Sequence, residues 1–254
     1  MYNFMQIYGS CAAVHYLGPD RIRGPVDNVI AKGRGLISAL LDGTYIEHIK
    51  NGTPEIKSRN PIFLGDSPVY YCYDIVNIVH EDPRTDKYQE VLQKRLANFK
   101  DFLDQVRSND NYYFVYSLNI FDLNKDTHKL NGNILLKNIE YLKEKKLLDK
   151  TIFVGCTPGK TGRTWWDFWS NDLIPLITKY NLKYVEVTEM CYGITPDKDK
   201  VLAAKFQELV SATIKNGTNK KYLQPRDKKG NYIIVKNKPK KPQGYLNTPG
   251  FFGL

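Results

Sequence analysis

A single cysteine near the start of the chain has the neighbours that a catalytic thiol needs. Cys11 follows a short apolar segment and the pair Gly9-Ser10, and it precedes a stretch with helical spacing. The backbone N–H groups at the start of a helix favour negative charge, so a thiol held there ionises more readily. The same groups can hold an oxyanion that develops on a substrate carbonyl. Because free cysteines are commonly small buried apolar residues, the alternative for Cys11 is a place in the core.

A thiol nucleophile needs a base within hydrogen-bonding reach, and imidazole is the usual one. His80 is the best candidate among the four histidines, because it ends a β-rich segment and is followed by Glu81-Asp82-Pro83. His48 and His128 lie in polar stretches that are typical of a surface. His15 lies one helical turn beyond the cysteine, where its ring is expected to point along the helix rather than toward the site.

Three residues are candidates for the group that orients the imidazole. Asp82 is close to the histidine in sequence, Asp27 follows a Gly-Pro pair before a helical pattern, and Asn119 ends an apolar segment. The sequence does not choose among them. Ser10 adjoins the cysteine and is a candidate for substrate binding. Arg23, like Arg21 before it, is expected either to bind an anionic group of the substrate or to lie on the surface.

A second basic site follows a predicted strand at 151–156. The segment from Gly155 to Thr161 looks like a phosphate loop, but it has three residues between its glycines where the Walker pattern needs four. A looser phosphate-binding turn at a helix start, with Lys160 and Arg163, is the better interpretation. These two residues are therefore further candidates for substrate binding.

Strands and helices alternate along the chain and must position these residues. The patterns predict strands at 3–9, 69–79, 112–118, 151–156 and 183–189, and helices at 11–17, 26–42, 86–107, 132–146, 164–180 and 197–215, with a loop at 50–68. This order predicts a layered α/β fold with a mostly parallel sheet flanked by helices. The carboxyl ends of parallel strands meet at one edge of a sheet, so Cys11 and His80 are expected to meet there.

Charge divides the chain into a balanced body and a basic end. The chain has 254 residues, of which 42% are hydrophobic and 25% are charged, as is ordinary for a globular protein. Residues 1–215 are predicted to form one α/β catalytic domain, and residues 216–254 a basic, irregular C-terminal extension. Residues 215–241 contain ten basic residues and one acidic residue. Such a segment is most often a solvated, partly disordered tail, and the alternative is that it binds an anionic partner such as phosphate, nucleic acid or an anionic membrane surface.

Other sequence features bear on the cellular compartment and on whether the protein binds a metal. No stretch has the 18 or more consecutive apolar residues of a spanning helix, and the N-terminus lacks the basic region and cleavage site of a secretory signal. The four cysteines contain no CxxC pair, which argues against a zinc knuckle and a disulfide scaffold. We therefore expect a cytoplasmic protein with no transmembrane segment, no metal and no cofactor.

The order of these motifs resembles a family of papain-like cysteine peptidases from bacteria and viruses, a domain of unknown function. The resemblance covers residues 4–120 and rests on Gly9-Ser10-Cys11, on the segment 23–27, on the tyrosines near 70 and on Val79-His80-Glu81-Asp82, followed by Arg95 and Phe99. Val26 and Asn28 stand where the family has an aromatic residue and a tryptophan, and Glu81 is inserted where it has aspartate. The resemblance implies that Cys11 is the nucleophile and His80 the base.

The resemblance also implies a role in capsule or surface-polysaccharide biosynthesis, where acyltransferases of similar layout occur. We therefore expect a cysteine-dependent hydrolase or acyltransferase that acts on a small molecule, a glycan or a peptide. The alternative is a non-enzymatic or nucleotide-sugar-using module that binds an anionic ligand or glycan through Lys160, Arg163 and the basic extension.

Overall fold

The described part of the chain contains eight strands, six α-helices and two 3-10 helices. The computed structural model describes residues 1–9, 16–18, 20–27, 29–31, 35–51, 55–56, 69–72, 76–79, 83, 85–118, 128–156, 172–187, 196–224, 226 and 232. The strands are β1 (Asn3–Tyr8), β2 (Val29–Ala31), β3 (Glu55–Ile56), β4 (Val69–Cys72), β5 (Val76–Val79), β6 (Tyr112–Leu118), β7 (Thr151–Cys156) and β8 (Lys183–Val187). The α-helices are α1 (Leu36–Leu41), α2 (Tyr45–Asn51), α3 (Asp86–Ser108), α4 (His128–Glu144), α5 (Ile174–Tyr180) and α6 (Pro196–Asn216), and the 3-10 helices are Leu148–Lys150 and Lys220–Leu223.

A four-stranded parallel sheet in the order β1-β6-β7-β8 forms the centre of the molecule. Helices α3, α4 and α5 lie in the connections between successive strands of this sheet, as parallel pairing requires. Five of the six residues of β1 and six of the seven residues of β6 are buried. These near-continuous apolar segments form strands because a parallel sheet is covered on both faces. The predicted α/β class with a parallel sheet and flanking helices is confirmed.

Each face of the parallel sheet has its own apolar cluster. The larger cluster joins Phe114, Phe153 and Tyr184 of the sheet to buried residues of α1 to α5. The smaller cluster joins Val115 and Val154, among others, to residues of α6. Three rings stack across the strands on the larger side, with centroids 4.4 Å apart for Tyr8 and Tyr116 and 5.1 Å apart for Tyr116 and Phe153.

A second sheet is antiparallel, in the order β2-β5-β4-β3. Residues 69–79, predicted as one strand, form the two paired strands β4 and β5, and the prediction that the strand before His80 belongs to the parallel sheet is wrong. The predicted helix at 26–42 is also wrong over its first half, because residues 29–31 pair with β5 and only α1 is helical. The predicted loop at 50–68 contains the short strand β3.

The long helix α3 agrees closely with its prediction. The Thr85 hydroxyl accepts a hydrogen bond from the Tyr88 N–H and so caps the first turn. Leu92, Phe99 and Val106 lie on the buried face, as the helical spacing predicts. Arg95 lies on the same buried face, although its side chain is charged.

The beginning of the C-terminal extension packs against β8, which is the outer strand of the parallel sheet. The Thr218 hydroxyl accepts from the Tyr184 N–H at 2.9 Å and donates to the Leu182 carbonyl at 2.6 Å. The Tyr222 ring packs edge-to-face on the Tyr184 ring of β8, with the ring centroids 5.7 Å apart. The division into a body and an extension stays a prediction, but these described residues belong to the same packed structure.

A buried ion pair holds the next part of the extension. Arg226 donates to the Glu186 carboxylate and also to the Tyr232 hydroxyl, the latter at 2.7 Å. The Arg226 and Glu186 side chains are 7% and 3% exposed. Arg226 and Tyr232 also form an antiparallel bridge. Among the helices that the structure describes, none is long and apolar enough to cross a membrane.

Loss of Arg226 is expected to destabilise the protein, because Glu186 would be left buried without its cation. We expect Arg226→Met to lower the free energy of unfolding by about 3 kcal/mol. The double variant Glu186→Gln with Arg226→Met is expected to recover much of that loss. Lys150→Met is the matched control, because its partner Asp110 is fully exposed, and it is expected to cost less than about 1 kcal/mol. Urea unfolding measures all three; equal losses for Arg226→Met and Lys150→Met would contradict this account.

Candidate active site

The strand that leads to Cys11 ends in a β-bulge and a constrained glycine. Gln6 pairs with Val115 and Tyr8 with Tyr116, so Ile7 is an extra residue in β1. Bulges bend a strand and redirect the residues that follow it, and they are frequent beside active sites. Gly9, directly after the strand, has a φ of +134°. A Cβ there would lie 2.5 Å from the Ser117 Cβ and 2.9 Å from the Gln6 Nε2.

A tight turn at residues 24–27 packs against β1. The Asp27 N–H donates to the Gly24 carbonyl at 3.3 Å. A Cβ on Gly24 would lie only 2.8 Å from the Met5 Cγ, so the turn can approach the strand this closely only with glycine at this position. Val26 is fully buried beside it. The turn therefore places Asp27 beside the strand that precedes Cys11.

Asp27 is a buried carboxylate with an arginine partner. It is 2% exposed, and its Oδ2 accepts a hydrogen bond from the Arg21 Nη2 at 3.3 Å. The Arg21 side chain is 10% exposed and also donates from Nη1 to the Gly18 carbonyl at 3.0 Å. Among the residues that the structure describes, Arg21 alone donates to the carboxylate group of Asp27. Its second oxygen is the natural acceptor for a further donor such as an imidazole N–H.

Helix α3 holds the same turn through its backbone. The Arg95 Nη1 donates to the Asp27 carbonyl at 3.3 Å, and the Asn98 Nδ2 donates to the Arg23 carbonyl at 3.1 Å. Arg95 and Asn98 are neighbours on one side of the helix because residues three apart share a face. Two side chains of a rigid helix therefore fix the position of the turn that carries Asp27.

Burial and positive charge oppose each other at Asp27. Burial raises the pKa of the Asp27 carboxyl above its usual 3.8, and Arg21, Arg95 and Arg23 act in the opposite direction. Burial also lowers the pKa of the Arg21 guanidinium, an effect that the charge of Asp27 partly offsets. A buried carboxylate of this kind is retained as an ion only where cations and hydrogen bonds compensate its lost hydration.

The strand that leads to His80 ends beside this turn. In the antiparallel pairing of β5 with β2, Ile78 lies opposite Val29. Val29 follows Asp27 by two residues, and its N–H donates to the Val26 carbonyl at 3.4 Å. Val79, the last residue of β5, is one residue beyond this pair and directly precedes His80. The end of β5, which precedes His80, therefore lies close to the Asp27 turn, and the same turn packs on β1, which precedes Cys11.

The structure describes two of the predicted site residues, and it identifies the partner of a further arginine, Arg21. Asp27 is buried in the cluster described above, and Arg23 is exposed beside it. The anion that Arg21 binds is the Asp27 carboxylate of this chain. Seven predicted site residues lie outside the described residues: Ser10, Cys11, His80, Asp82, Asn119, Lys160 and Arg163.

Sequence reasoning did not assign the roles of Arg95 and Asn98. The available signal was Arg95 itself, a charged residue within the apolar face that Leu92 and Phe99 define on α3. A buried charge in such a position needs a partner elsewhere in the fold. The partner is 68 residues earlier in the chain, so local spacing does not identify it.

No protein-family model, curated protein or solved structure matches this chain. The resemblance to papain-like peptidases therefore stays a prediction. The geometry of the site is what remains to indicate a function. Within the described ranges, no group of three or more His, Cys, Asp or Glu side chains lies close enough together to hold a metal ion.

The end of β1 is expected to tolerate no side chain at Gly9. Gly43 is the matched control, because it also has a positive φ of +78° but nothing within 4 Å of an added Cβ. Gly43→Ala is expected to cost about 1–2 kcal/mol of unfolding free energy, which is the cost of a left-handed conformation. Gly9→Ala is expected to cost at least about 1 kcal/mol more because it also overpacks its surroundings. Urea unfolding of both variants compares them, and an equal cost would disprove the close packing at Gly9.

The raised pKa of Asp27 predicts a specific pH dependence of stability. Between pH 3.8 and the folded pKa, the native state binds more protons than the unfolded chain, so stability falls as pH rises through that window. The Asp27→Asn variant has no carboxyl group at this position, so it lacks this contribution to the pH dependence of stability. The unfolding free energy of the wild type minus that of Asp27→Asn is therefore expected to fall with rising pH and then become constant. Urea unfolding across the acidic range measures it, and a rising difference would mean that the arginines outweigh burial.

Proposed function

We propose that the protein is a thiol-dependent acyl-transfer enzyme in which Cys11 is the nucleophile, His80 the base and Asp27 the residue that orients the imidazole. The observation that supports this most directly is that the turn carrying the buried Asp27 is linked to both strands that precede the predicted dyad. The turn of Asp27 packs on β1, which precedes Cys11, and it continues into β2, which pairs with the strand before His80. A nucleophile, a base and an orienting group must meet in this way to act together.

The chemistry follows from these three groups. His80 takes the proton of the Cys11 thiol, and the sulfur attacks the carbonyl carbon of an acyl donor to give a tetrahedral oxyanion. Backbone N–H groups after Cys11 hold this oxyanion. The imidazolium of His80 then protonates the leaving group, and a thioester on Cys11 remains. His80 next deprotonates water or an alcohol, whose oxygen attacks the thioester and releases the thiolate. Water as acceptor gives a hydrolase, and a sugar hydroxyl gives an acyltransferase.

Asp27 is preferred over Asp82 and Asn119 because its environment suits an orienting carboxylate. Arg21 fixes one carboxylate oxygen, and Arg95 fixes the backbone of the same residue. A carboxylate held in this way keeps the imidazole in one tautomer and stabilises the imidazolium during the reaction. The exposed Arg23 and Ser10, which precedes Cys11 in the sequence, are candidates for contacts to the substrate.

The substrate class that we propose is an acyl ester or thioester, with a glycan hydroxyl as the acceptor in the transferase form. Lys160, Arg163 and the basic extension would then bind anionic parts of the donor or acceptor. A cytoplasmic step in surface-polysaccharide biosynthesis fits this set of residues and is part of the same proposal.

Acyl transfer from a nitrophenyl ester tests the proposal, because the thioester on Cys11 adds a defined mass to one peptide. We expect this adduct and the release of nitrophenol in the wild type, neither in Cys11→Ala, and a loss of at least about 100-fold in His80→Ala. Cys72→Ala and His128→Ala are the matched controls and are expected to react normally. Undiminished turnover in Cys11→Ala would sink the proposal.

The same assay distinguishes the candidates for the third group. Asp27→Asn is expected to slow acylation at neutral pH, whereas Asp82→Asn and Asn119→Ala are expected to have smaller effects. A larger loss in Asp82→Asn than in Asp27→Asn would transfer the orienting role to Asp82.

A further inference from the structure

The side chain of Arg21 is largely buried, whereas most arginine side chains are exposed to solvent. Its side chain is 10% exposed, and its two terminal nitrogens donate to the Gly18 carbonyl and the Asp27 carboxylate. Burial of a guanidinium costs free energy even when it is paired, and breaking one half of such a pair costs more. The arrangement thus ties the charge of Arg21 to a single carboxylate.

The charged groups that face Asp27 come from two elements. Among the described residues they are Arg21 and Arg23 from the preceding loop and Arg95 from α3. Their roles differ: Arg21 contacts the carboxylate, Arg95 contacts the backbone carbonyl, and Arg23 is exposed and contributes its charge only at a distance. Arg21 is therefore the residue whose loss changes the carboxylate most directly.

We propose that Arg21 is a positioning residue that keeps the Asp27 carboxylate ionised and turned so that one oxygen is available to His80, and thereby sets the reactivity of Cys11. The inference rests on the proposed function, since it requires that Asp27 act on His80. Arg21 itself touches neither the substrate nor the reacting atoms in this account. It acts through Asp27 alone.

The direction of the effect follows from the charges. Without Arg21, burial is less well compensated, and Asp27 is protonated up to a higher pH. A neutral Asp27 no longer stabilises the imidazolium of His80. The imidazolium in turn stabilises the Cys11 thiolate, so the thiol ionises only at a higher pH and reacts more slowly at a given acidic pH.

Alkylation of Cys11 by iodoacetamide tests this without knowledge of the natural substrate. The rate is followed against pH by the mass of the Cys11 peptide, on variants shown to be folded by circular dichroism. In Arg21→Met we expect the midpoint of the acid limb to move up by about one pH unit or more. Arg107→Met, which removes an exposed arginine at the far end of α3 that pairs with Asp104 and does not act on Asp27, is the control and is expected to leave the midpoint unchanged. Arg21→Lys, which retains the charge, is expected to recover most of the shift.

A double variant provides the decisive comparison. If Arg21 acts through Asp27, Arg21→Met is expected to have no further effect on the midpoint in an Asp27→Asn background, because the carboxylate that it holds is already gone. Additive shifts would overturn the inference. If Arg21→Met does not fold, Arg21→Gln takes its place in the same comparison.

Failure of the inference and failure of the proposed function give different results. If Cys11 in the wild type ionises as an ordinary thiol, with a midpoint of about 8.5, and His80→Ala does not change it, the proposed dyad is wrong. If the midpoint is depressed and depends on His80 but not on Arg21 or Asp27, the dyad stands and only the role of Arg21 is refuted.

Discussion

The burial of both faces of a parallel sheet is the constraint from which most of this structure follows. Such strands have no solvent side, so most of their residues are apolar, and a charged residue within them, such as Glu186 of β8, needs a buried partner. The stacked rings of Tyr8, Tyr116 and Phe153 belong to the apolar cluster that covers one face of this sheet. The one extra residue in β1, Ile7, changes the direction of the chain directly before the segment that contains Cys11.

The cluster at Asp27 shows how a carboxylate is accommodated next to such a core. Arg21 neutralises it from within the same loop, and α3 secures the backbone from the other side of the sequence. The second sheet also constrains the turn, because β2 follows the turn in the chain and pairs with β5, the strand that leads to His80. Helix, loop and sheet thus constrain one residue from three directions, and a side chain so constrained has little freedom to reorient.

The parts of the fold that the sequence predicts well are those with a strong local signal. The strands β6 and β7 and helix α3 are predicted well because their apolar residues form distinct patterns. Burial on both faces of a sheet gives a continuous apolar segment, and burial on one face of a helix gives helical spacing. The apolar spacing of residues 29–31 also fits a helical turn, so the sequence predicts a helix there. Their pairing with β5 makes them a strand instead. The roles of Arg21 and Arg95 depend on a partner buried by tertiary packing, which no local pattern contains. The sequence predicts Asp27 as one of three candidates, and its burial beside Arg21 is likewise a result of tertiary packing.

The contacts that cover the outer edge of β8 affect how a shortened chain would behave in solution. On its outer side the Tyr184 N–H donates to the Thr218 hydroxyl instead of to another strand, and the Tyr222 ring packs on the Tyr184 ring. An uncovered edge strand recruits strands from other molecules and is a common origin of aggregation. A chain cut after Asn216 would keep every strand of the sheet and yet lose this cover. The first residues of the extension therefore protect the edge of the sheet from association with the strands of other molecules.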